Sequence, residues 1–430
     1  MIRCHLFNGE FTNQEFEDFT PIIESITINR RVVQEMPLAV IIGLLAKLGK
    51  KLIHNPEINR LQGATYISVW LRRKNLEQVC KTNYADCRYL DTFIPVNNNF
   101  AMSAQPRGVV CQWIAANIPT LAFFSLAQAI LSKNGSIAKV PEESSAFIAA
   151  LLKDLSDITL SHDGTTYFGK DIVKAISLVS FEGKNHEISK QFSLAADCKV
   201  IYGGSVAIHS ILALPQKEHC ETVVFGPKYS FGVFDRGYIE SDQFEKALEN
   251  SANDIAIFNQ MACSSPHVLF FEKSKYTLEK IGILMKGYFE QLPPVLRHQN
   301  TDPAILANVI NERAKYLLSD NKDIIIPNDL GWTIFMDRSI QLEDPIHGKC
   351  IFIKEIESIN DVFDLITRKI QAIMVCIHDE DKRRIFAREA TYRGVDRVVI
   401  PGTIHEYDQP WDGILPLNRL VRWVILKTES

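Results

Sequence analysis

From about residue 106 onward, short apolar runs that read as strands alternate with longer stretches that read as helices. Strand-like runs fall at 108–115 (GVVCQWIA), 136–140 (SIAKV), 198–202 (CKVIY) and 221–225 (ETVVF). Helical stretches lie among them at 119–135, 142–155 and 205–214; the first opens on Pro119 and closes on Asn134-Gly135, in keeping with proline's preference for helix starts and glycine's for helix ends. Strands separated by helices with short connections predict a parallel α/β sheet. The alternation resumes with strands at 267–271, 349–353, 372–377 and 397–400, and helices at 275–291, 303–318 and 358–370. Two α/β units are therefore expected. Upstream, 36–52 (MPLAVIIGLLAKLGKKL) reads as a buried helix, while the rest of residues 1–100 shows no clear period. The tail ends in an apolar, β-prone run (VRWVIL), suited to extend a sheet of its own chain or of a partner subunit.

Length supports the two-unit reading, because 430 residues exceed what one hydrophobic core usually holds. Apolar content of 46% and charged content of 23% are those of a water-soluble globular protein. A net charge of −4 offers no general attraction to nucleic acid or anionic membrane. The start, MIRCHLFNGEF, lacks the apolar core of a signal peptide, and LAVIIGLLAKLG is too short to span a bilayer. Nine cysteines are scattered with no CxxC pair, which argues against a zinc site or redox dithiol; reduced thiols in the cytoplasm, and no metal, are expected.

Four places carry candidate chemistry. In VIYGGSVAIHS a strand runs into Gly203-Gly204-Ser205 and a helix begins there, so the backbone can approach a pyrophosphate and free helix N–H groups face it. The full GxGxxG fingerprint is missing, and an ordinary strand–helix turn has the same residues. Asn117 stands between a strand and a helix, placed to donate to an oxyanion or simply to cap its helix. Lys139 ends a strand, where ligands gather in open α/β sheets, and Glu142 follows closely; they suit ribose hydroxyls or a phosphate, or serve as solvated surface charges. Cys263 lies in a polar Cys-Ser-Ser-Pro segment between helix-like and strand-like stretches, an unusual place for a structural thiol, although most cysteines are buried and inert. His267, four residues on, reads as structural, and His162, His186, His209 and His405 stand in no suggestive pattern.

Taken in order, five stretches resemble the aldehyde dehydrogenase superfamily, and within it the fatty acyl-CoA reductase branch of bacterial luminescence. They are QPRGVVCQWIAANIPTLAFFSLAQAILSKNGSIAKVP, VIYGGSVAIHSI, VVFGPKYSFGVFDR, NQMACSSPHVLF and GTIHEYDQPWDGILPLNRLVRWV, which together run from about residue 107 to the end. The resemblance implies an aldehyde-dehydrogenase-like α/β fold. It would have a Rossmann-type dinucleotide-binding domain over 101–228, a catalytic domain over 229–400, a tail over 401–430 for sheet extension or oligomerisation, and residues 1–100 packed on the cofactor domain. It implies Cys263 as the nucleophile, Asn117 as an oxyanion donor, Gly203, Gly204 and Ser205 at the pyrophosphate, and Lys139 and Glu142 at the adenosine ribose or its phosphate. NADPH is the implied cofactor, with NADH as the alternative because Glu142 would repel a 2′-phosphate. A homo-oligomer is implied, as is a substrate carried on CoA or a carrier protein, with an acyl-activating partner protein.

One departure from the superfamily bears on chemistry. Aldehyde-oxidising members carry a Glu-Leu-Gly-Gly-Lys motif whose Glu activates the hydrolytic water. Here the matching stretch is VFGPK, with Val224 in the Glu position, and Pro345 falls where their second Glu stands. Loss of the base suits an acyl-enzyme that survives until hydride arrives. The expected activity is reduction of an acyl-thioester to an aldehyde through a covalent Cys263 intermediate. The alternatives are a cofactor-independent cysteine acyltransferase or thioesterase, and a non-catalytic scaffold of the same fold.

Overall fold

The computed structural model describes residues 1–54, 63–116, 118, 120–297, 302–320 and 322–427. The chain divides into two compact units, Met1–Gly226 with Asp408–Ser430, and Pro227–Tyr407. The strands of the first are β1 (Ile2–Phe7), β2 (Glu10–Phe16), β3 (Ile94–Asn97), β4 (Phe100–Pro106), β5 (Val109–Trp113), β6 (Gly135–Lys139), β7 (Thr159–His162), β8 (Thr165–Phe168), β9 (Ile176–Ser180), β10 (Cys198–Tyr202) and β11 (Glu221–Phe225). The second holds β12 (Tyr229–Phe234), β13 (Pro266–Glu272), β14 (Asp323–Ile325), β15 (Thr333–Asp337), β16 (Cys350–Ile356), β17 (Ile370–Cys376) and β18 (Arg397–Val399); β19 (Val421–Lys427) belongs to the first.

The main sheet of the first unit has the order β11-β10-β5-β6-β9-β1-β2. From β11 to β9 it is parallel, and all five residues of β5 and of β10 are buried, as expected for strands covered on both faces. The helix Leu121–Leu131 between β5 and β6 is apolar nearly all round and correspondingly buried. Phe19, Val109, Trp113, Phe192 and Ile201 pack in one core cluster. From β5 the chain steps outward to β6 and β9, then returns to the other side of β5 to lay down β10 and β11. That reversal makes a topological switch point between β5 and β10, where ligands of open α/β sheets bind.

The region of residues 1–100 without a legible period supplies part of this sheet. β1 buries Ile2, Cys4 and Leu6 against β9, and an Asn8-Gly9 turn with positive φ at both residues (49° and 82°) returns the chain as β2. The expected helix over 36–52 is Leu38–Ile53, with ten buried residues, a core helix of this unit. Among the described residues no single helix is long and apolar enough to cross a membrane. The tail pairs with its own chain, β19 lying antiparallel to β4 from Val421 opposite Pro106 to Lys427 opposite Phe100.

The second unit's sheet runs β14-β15-β16-β13-β12-β17-β18 and is parallel except for β14. Its central β12 was not foreseen: Ser230 and Gly232 interrupt the apolar run. A Cβ on Gly232 would stand 2.6 Å from Leu269 Cδ2, so the small residue is required by close strand packing. The helix expected over 358–370 is instead a short 3₁₀ segment, Ile359–Leu365, started by a Ser358–Asp361 capping box. The chain must extend into β17 at Ile370, and that pairing overrides the helical spacing of the apolar residues.

Candidate active site

Cys263 is held in a loop under local strain. After the helix Phe244–Ala256, three consecutive residues, Phe258, Asn259 and Gln260, take φ of 54°, 50° and 65°. Such values are uncommon for residues with a Cβ and persist only where the surroundings enforce them. The facing segment, His347-Gly348-Lys349, is left-handed as well, with φ of 66°, 65° and 61°. The two segments are laced together: Gly348 N donates to Asn259 O at 3.1 Å, Lys349 Nζ to Asn259 Oδ1 at 2.8 Å, and His347 Nδ1 lies 2.9 Å from Gln260 O. Buried Gln260 locks the arrangement by donating from Nε2 to Pro266 O (2.8 Å) and Cys350 O (2.7 Å) while Oε1 accepts from Cys350 N (3.0 Å).

Beyond this lock the loop carries Cys263 itself, half-buried. Ser230 Oγ, from β12, donates to the Cys263 carbonyl at 2.8 Å. Gln371 Nε2, from the neighbouring strand β17, donates to Cys263 Sγ at 3.2 Å. Most of the other thiols are poorly suited to attack. Cys4, Cys80, Cys111, Cys198, Cys350 and Cys376 are buried, and burial pushes Cys4 and Cys350 up to about 12. Half-buried Cys220 is also raised by burial. Cys87, in the 3₁₀ turn Cys87–Leu90, is lowered by its contact with the Cys80 thiol.

Two histidines near the loop, His405 and His267, are neutral. His405 Nε2 lies 2.7 Å from the Asp254 carbonyl, which can only accept, so Nε2 carries the proton and Nδ1 accepts from Ser264 Oγ at 3.0 Å. Burial lowers the His405 pKa to about 4 and that of His267 to about 3. The His267 ring sits 5.3 Å from that of Tyr229 and 5.5 Å from that of His347. It is a packed core histidine, as its place at the head of a strand suggested. His405, which no sequence pattern singled out, fixes the hydroxyl next to the candidate nucleophile. The Asp254 carboxyl is raised to about 7, chiefly by burial, and accepts from Gly402 N at 2.6 Å.

In the first unit a cavity of about 760 Å³ opens at the carboxyl ends of β5, β6, β9 and β10, at the switch point. Lys139, Glu142, Gly203 and Gly204 all line it. Ser205 begins the helix Ser205–Leu212 but is not among the lining residues, and Asn117 lies outside the described residues. A Cβ on Gly204 would meet nothing within 4 Å, so the backbone there stands open to a ligand. Gly204 caps the helix with no side chain over its first N–H groups, which leaves them to an anion. Lys139 Nζ lies 4.4 Å from the centre of the Phe181 ring, and burial lowers its pKa. Glu142 Oε1 accepts from Arg3 Nη1 at 2.6 Å, and Arg3 also faces Glu15 at 3.8 Å. Arg3 reaches the cavity from β1, a link between residues 139 positions apart that no local pattern discloses. The volume, open glycine backbone, bare helix start and cation fit a nucleotide cofactor.

Val224 lies in β11 and packs, partly buried, against the cluster containing Ile201 and Ile208.

Comparison with known proteins gives a consistent picture. A long-chain acyl-protein thioester reductase of Vibrio harveyi is 23% identical over 390 residues, covering 90% of this chain and 77% of the relative. One from Photorhabdus luminescens is 22% identical, covering 86% of this chain and 74% of the relative. Among solved structures, an NAD-dependent benzaldehyde dehydrogenase from Corynebacterium glutamicum matches with a TM-score of 0.69 at 12% identity, over 100% of this chain and 95% of that one. A lactaldehyde dehydrogenase matches with a TM-score of 0.69 at 12% identity, over 100% and 99%. The fold is therefore that of the aldehyde dehydrogenases. With the acyl-CoA reductase (LuxC) model matching residues 33–423, nearly the whole length, the chain belongs to that family of enzymes.

Proposed function

We propose that this enzyme reduces an acyl-thioester to an aldehyde, with Cys263 as the covalent nucleophile. The observation that carries the reading is the loop at Cys263: a half-buried thiol on a strained backbone, hydrogen-bonded at both its carbonyl and its sulfur. Attack of Sγ on the thioester carbonyl forms a new carbon–sulfur bond, and the bond to the carrier sulfur breaks, leaving the acyl group on Cys263. A reduced nicotinamide dinucleotide, when bound, supplies the hydride that takes this acyl group to the aldehyde level. Collapse of the resulting oxyanion expels the Cys263 thiolate and frees the aldehyde. We assign the oxyanion to the Cys263 backbone N–H and the Asn117 amide, following the resemblance noted above.

The cofactor assignment is NADPH. Glu142 would repel a 2′-phosphate, but its carboxylate is paired with Arg3, and Lys139 adds a second cation to the same cavity. Gly203 and Gly204 would hold the pyrophosphate. The acyl donor is a thioester on a protein or on CoA, since the named relatives act on long-chain acyl-protein thioesters. All nine cysteines are thiols outside any disulfide, which suits a reducing compartment, and we place the enzyme in the cytoplasm.

Incubation with acyl-CoA and no nicotinamide should leave the acyl group on Cys263, located by mass spectrometry of the peptides. Adding NADPH should then release aldehyde. Cys263→Ala should form neither acyl-enzyme nor aldehyde. Acylation at another cysteine, or release of free acid in place of aldehyde, would overturn the assignment.

A further inference from the structure

We infer that Gln371 is a catalytic residue whose side-chain amide stabilises the Cys263 thiolate, both when sulfur attacks and when it leaves. The inference rests on Cys263 being the nucleophile. Gln371 is the second residue of β17 and is fully buried among Ile370, Ala372 and Ile373. A buried amide in such a strand costs free energy unless its polar atoms are used. Its Nε2 is used on Cys263 Sγ, at 3.2 Å.

Adjacent strands thereby hold the two ends of one residue. Ser230, paired with Ala372 in the β12–β17 register, donates to the Cys263 carbonyl, and Gln371 donates to the sulfur. A neutral thiol is a weak acceptor, whereas a thiolate is a strong one. An N–H aimed at sulfur therefore favours ionisation. His405 and His267 do not supply this: both ring nitrogens of His405 are engaged, and burial keeps His267 neutral; His347 Nδ1 faces the Gln260 carbonyl at 2.9 Å. In the first step the Cys263 proton passes to water, the thiolate attacks, and the departing carrier thiolate takes a proton from water. In the last step the carbon–sulfur bond of the tetrahedral intermediate breaks and its electron pair returns to Sγ, again under the Gln371 N–H.

The test is the rate of alkylation of Cys263 by iodoacetamide as a function of pH, followed on its own peptide with no cofactor or acyl donor present. For the wild type the midpoint should lie below the ~8.5 of an ordinary cysteine. Gln371→Met keeps the volume and removes the donor. Its midpoint should rise by about one pH unit, or about tenfold slower alkylation near neutrality. Gln371→Glu places a carboxylate against the sulfur and should raise it further. Melting curves establish that each variant is folded, and if the Met variant is not, the wild-type midpoint and the Glu variant decide. A wild-type midpoint at or above ~8.5, or folded variants whose midpoints do not move, overturns the inference. Failure of the nucleophile reading would show differently, as acylation persisting in Cys263→Ala while the alkylation midpoints still shift.

Discussion

Replacing Gln260 by leucine should loosen the nucleophile loop and weaken the second unit. Leucine fills a similar volume, so the change isolates the hydrogen bonds. Three are lost at once, two donated by Nε2 to Pro266 O and Cys350 O and one accepted by Oε1 from Cys350 N. The side chain is fully buried, so solvent cannot readily replace it. Each buried polar group left without a partner costs about 1–3 kcal/mol, and with partial relaxation the sum is about 3–5 kcal/mol. The left-handed conformation of Phe258, Asn259 and Gln260 opposes the native loop by roughly 1–2 kcal/mol per residue. Lock and strain are thus of similar size, and removing the lock should let the strained segment relax. For a unit of this length a loss of ~3 kcal/mol lowers the melting temperature by roughly 6–12 °C. Calorimetry should show that shift in the second unit's transition, and hydrogen exchange should show lost protection at the Cys350 amide. Acylation of Cys263 should slow in the surviving folded fraction. A melting temperature within about 1 °C of wild type together with a protected Cys350 amide would refute the reasoning. A destabilised variant that acylates at the wild-type rate would show that the lock stabilises the unit without positioning the thiol.

Arg3→Ala should weaken NADPH binding by about tenfold or more while affecting NADH much less, since it removes a cation beside Glu142 and leaves that carboxylate facing the cavity. Fluorescence titration of each nucleotide checks this, and an equal loss for both would contradict it. Acidification should destabilise the second unit. His267 and His405 have folded pKa values of about 3 and about 4, below the usual 6.5, so their contribution is fully present above 6.5 and is lost as pH falls toward those values. Asp254, raised from 3.8 to about 7, acts in the opposite sense, its contribution lost as pH rises through about 7. Two groups outweigh one below 6.5, and urea titrations followed at Trp332 should show falling stability there; a rise would refute the assignment of neutral buried imidazoles.

What the sequence made legible is what local periodicity encodes. The strands β5, β6, β10 and β11, and the helices that follow the first three, lie where apolar runs and terminal residues place them, and with them came Lys139, Glu142, Gly203 and Gly204 at one cavity. The hairpin of β1 and β2 was readable in principle: Ile2, Cys4 and Leu6 alternate, and Asn8-Gly9 is a strong two-residue turn. Other features had no local signal. Gln260 and Gln371 count as surface residues in any reading by polarity, yet both are buried because their amides bond to groups far away in the chain. Arg3 and His405 likewise act on Glu142 and Ser264 across long separations, so only the fold reveals them. Short spacing rules also mislead where a segment must change role, as at Ile359–Leu365, where strand formation at Ile370 ends a helix-like pattern.

The arrangement at Cys263 bears on why an acyl group there would be reduced and not hydrolysed. A hydrolase must raise the nucleophilicity of water, which takes a base with a free lone pair close to the thioester. Four side chains around this loop act differently. Ser230 and Gln371 present donors, His405 has both nitrogens committed, and His267 is buried against Tyr229 and His347. Donors aimed at sulfur and at the Cys263 carbonyl can stabilise negative charge and hold geometry, but they cannot take a proton from water. In the first unit, Val224 has an apolar side chain packed on its core; the sequence resemblance implies that it stands where aldehyde-oxidising members of the superfamily carry the water-activating Glu. On the proposed reading, the thiol is made reactive by hydrogen bonding to its charged form, through the Gln371 donor and without help from His405 or His267. An acyl group on Cys263 that is slow to hydrolyse would have the property a hydride acceptor needs, and its rate of release as free acid without nicotinamide tests this.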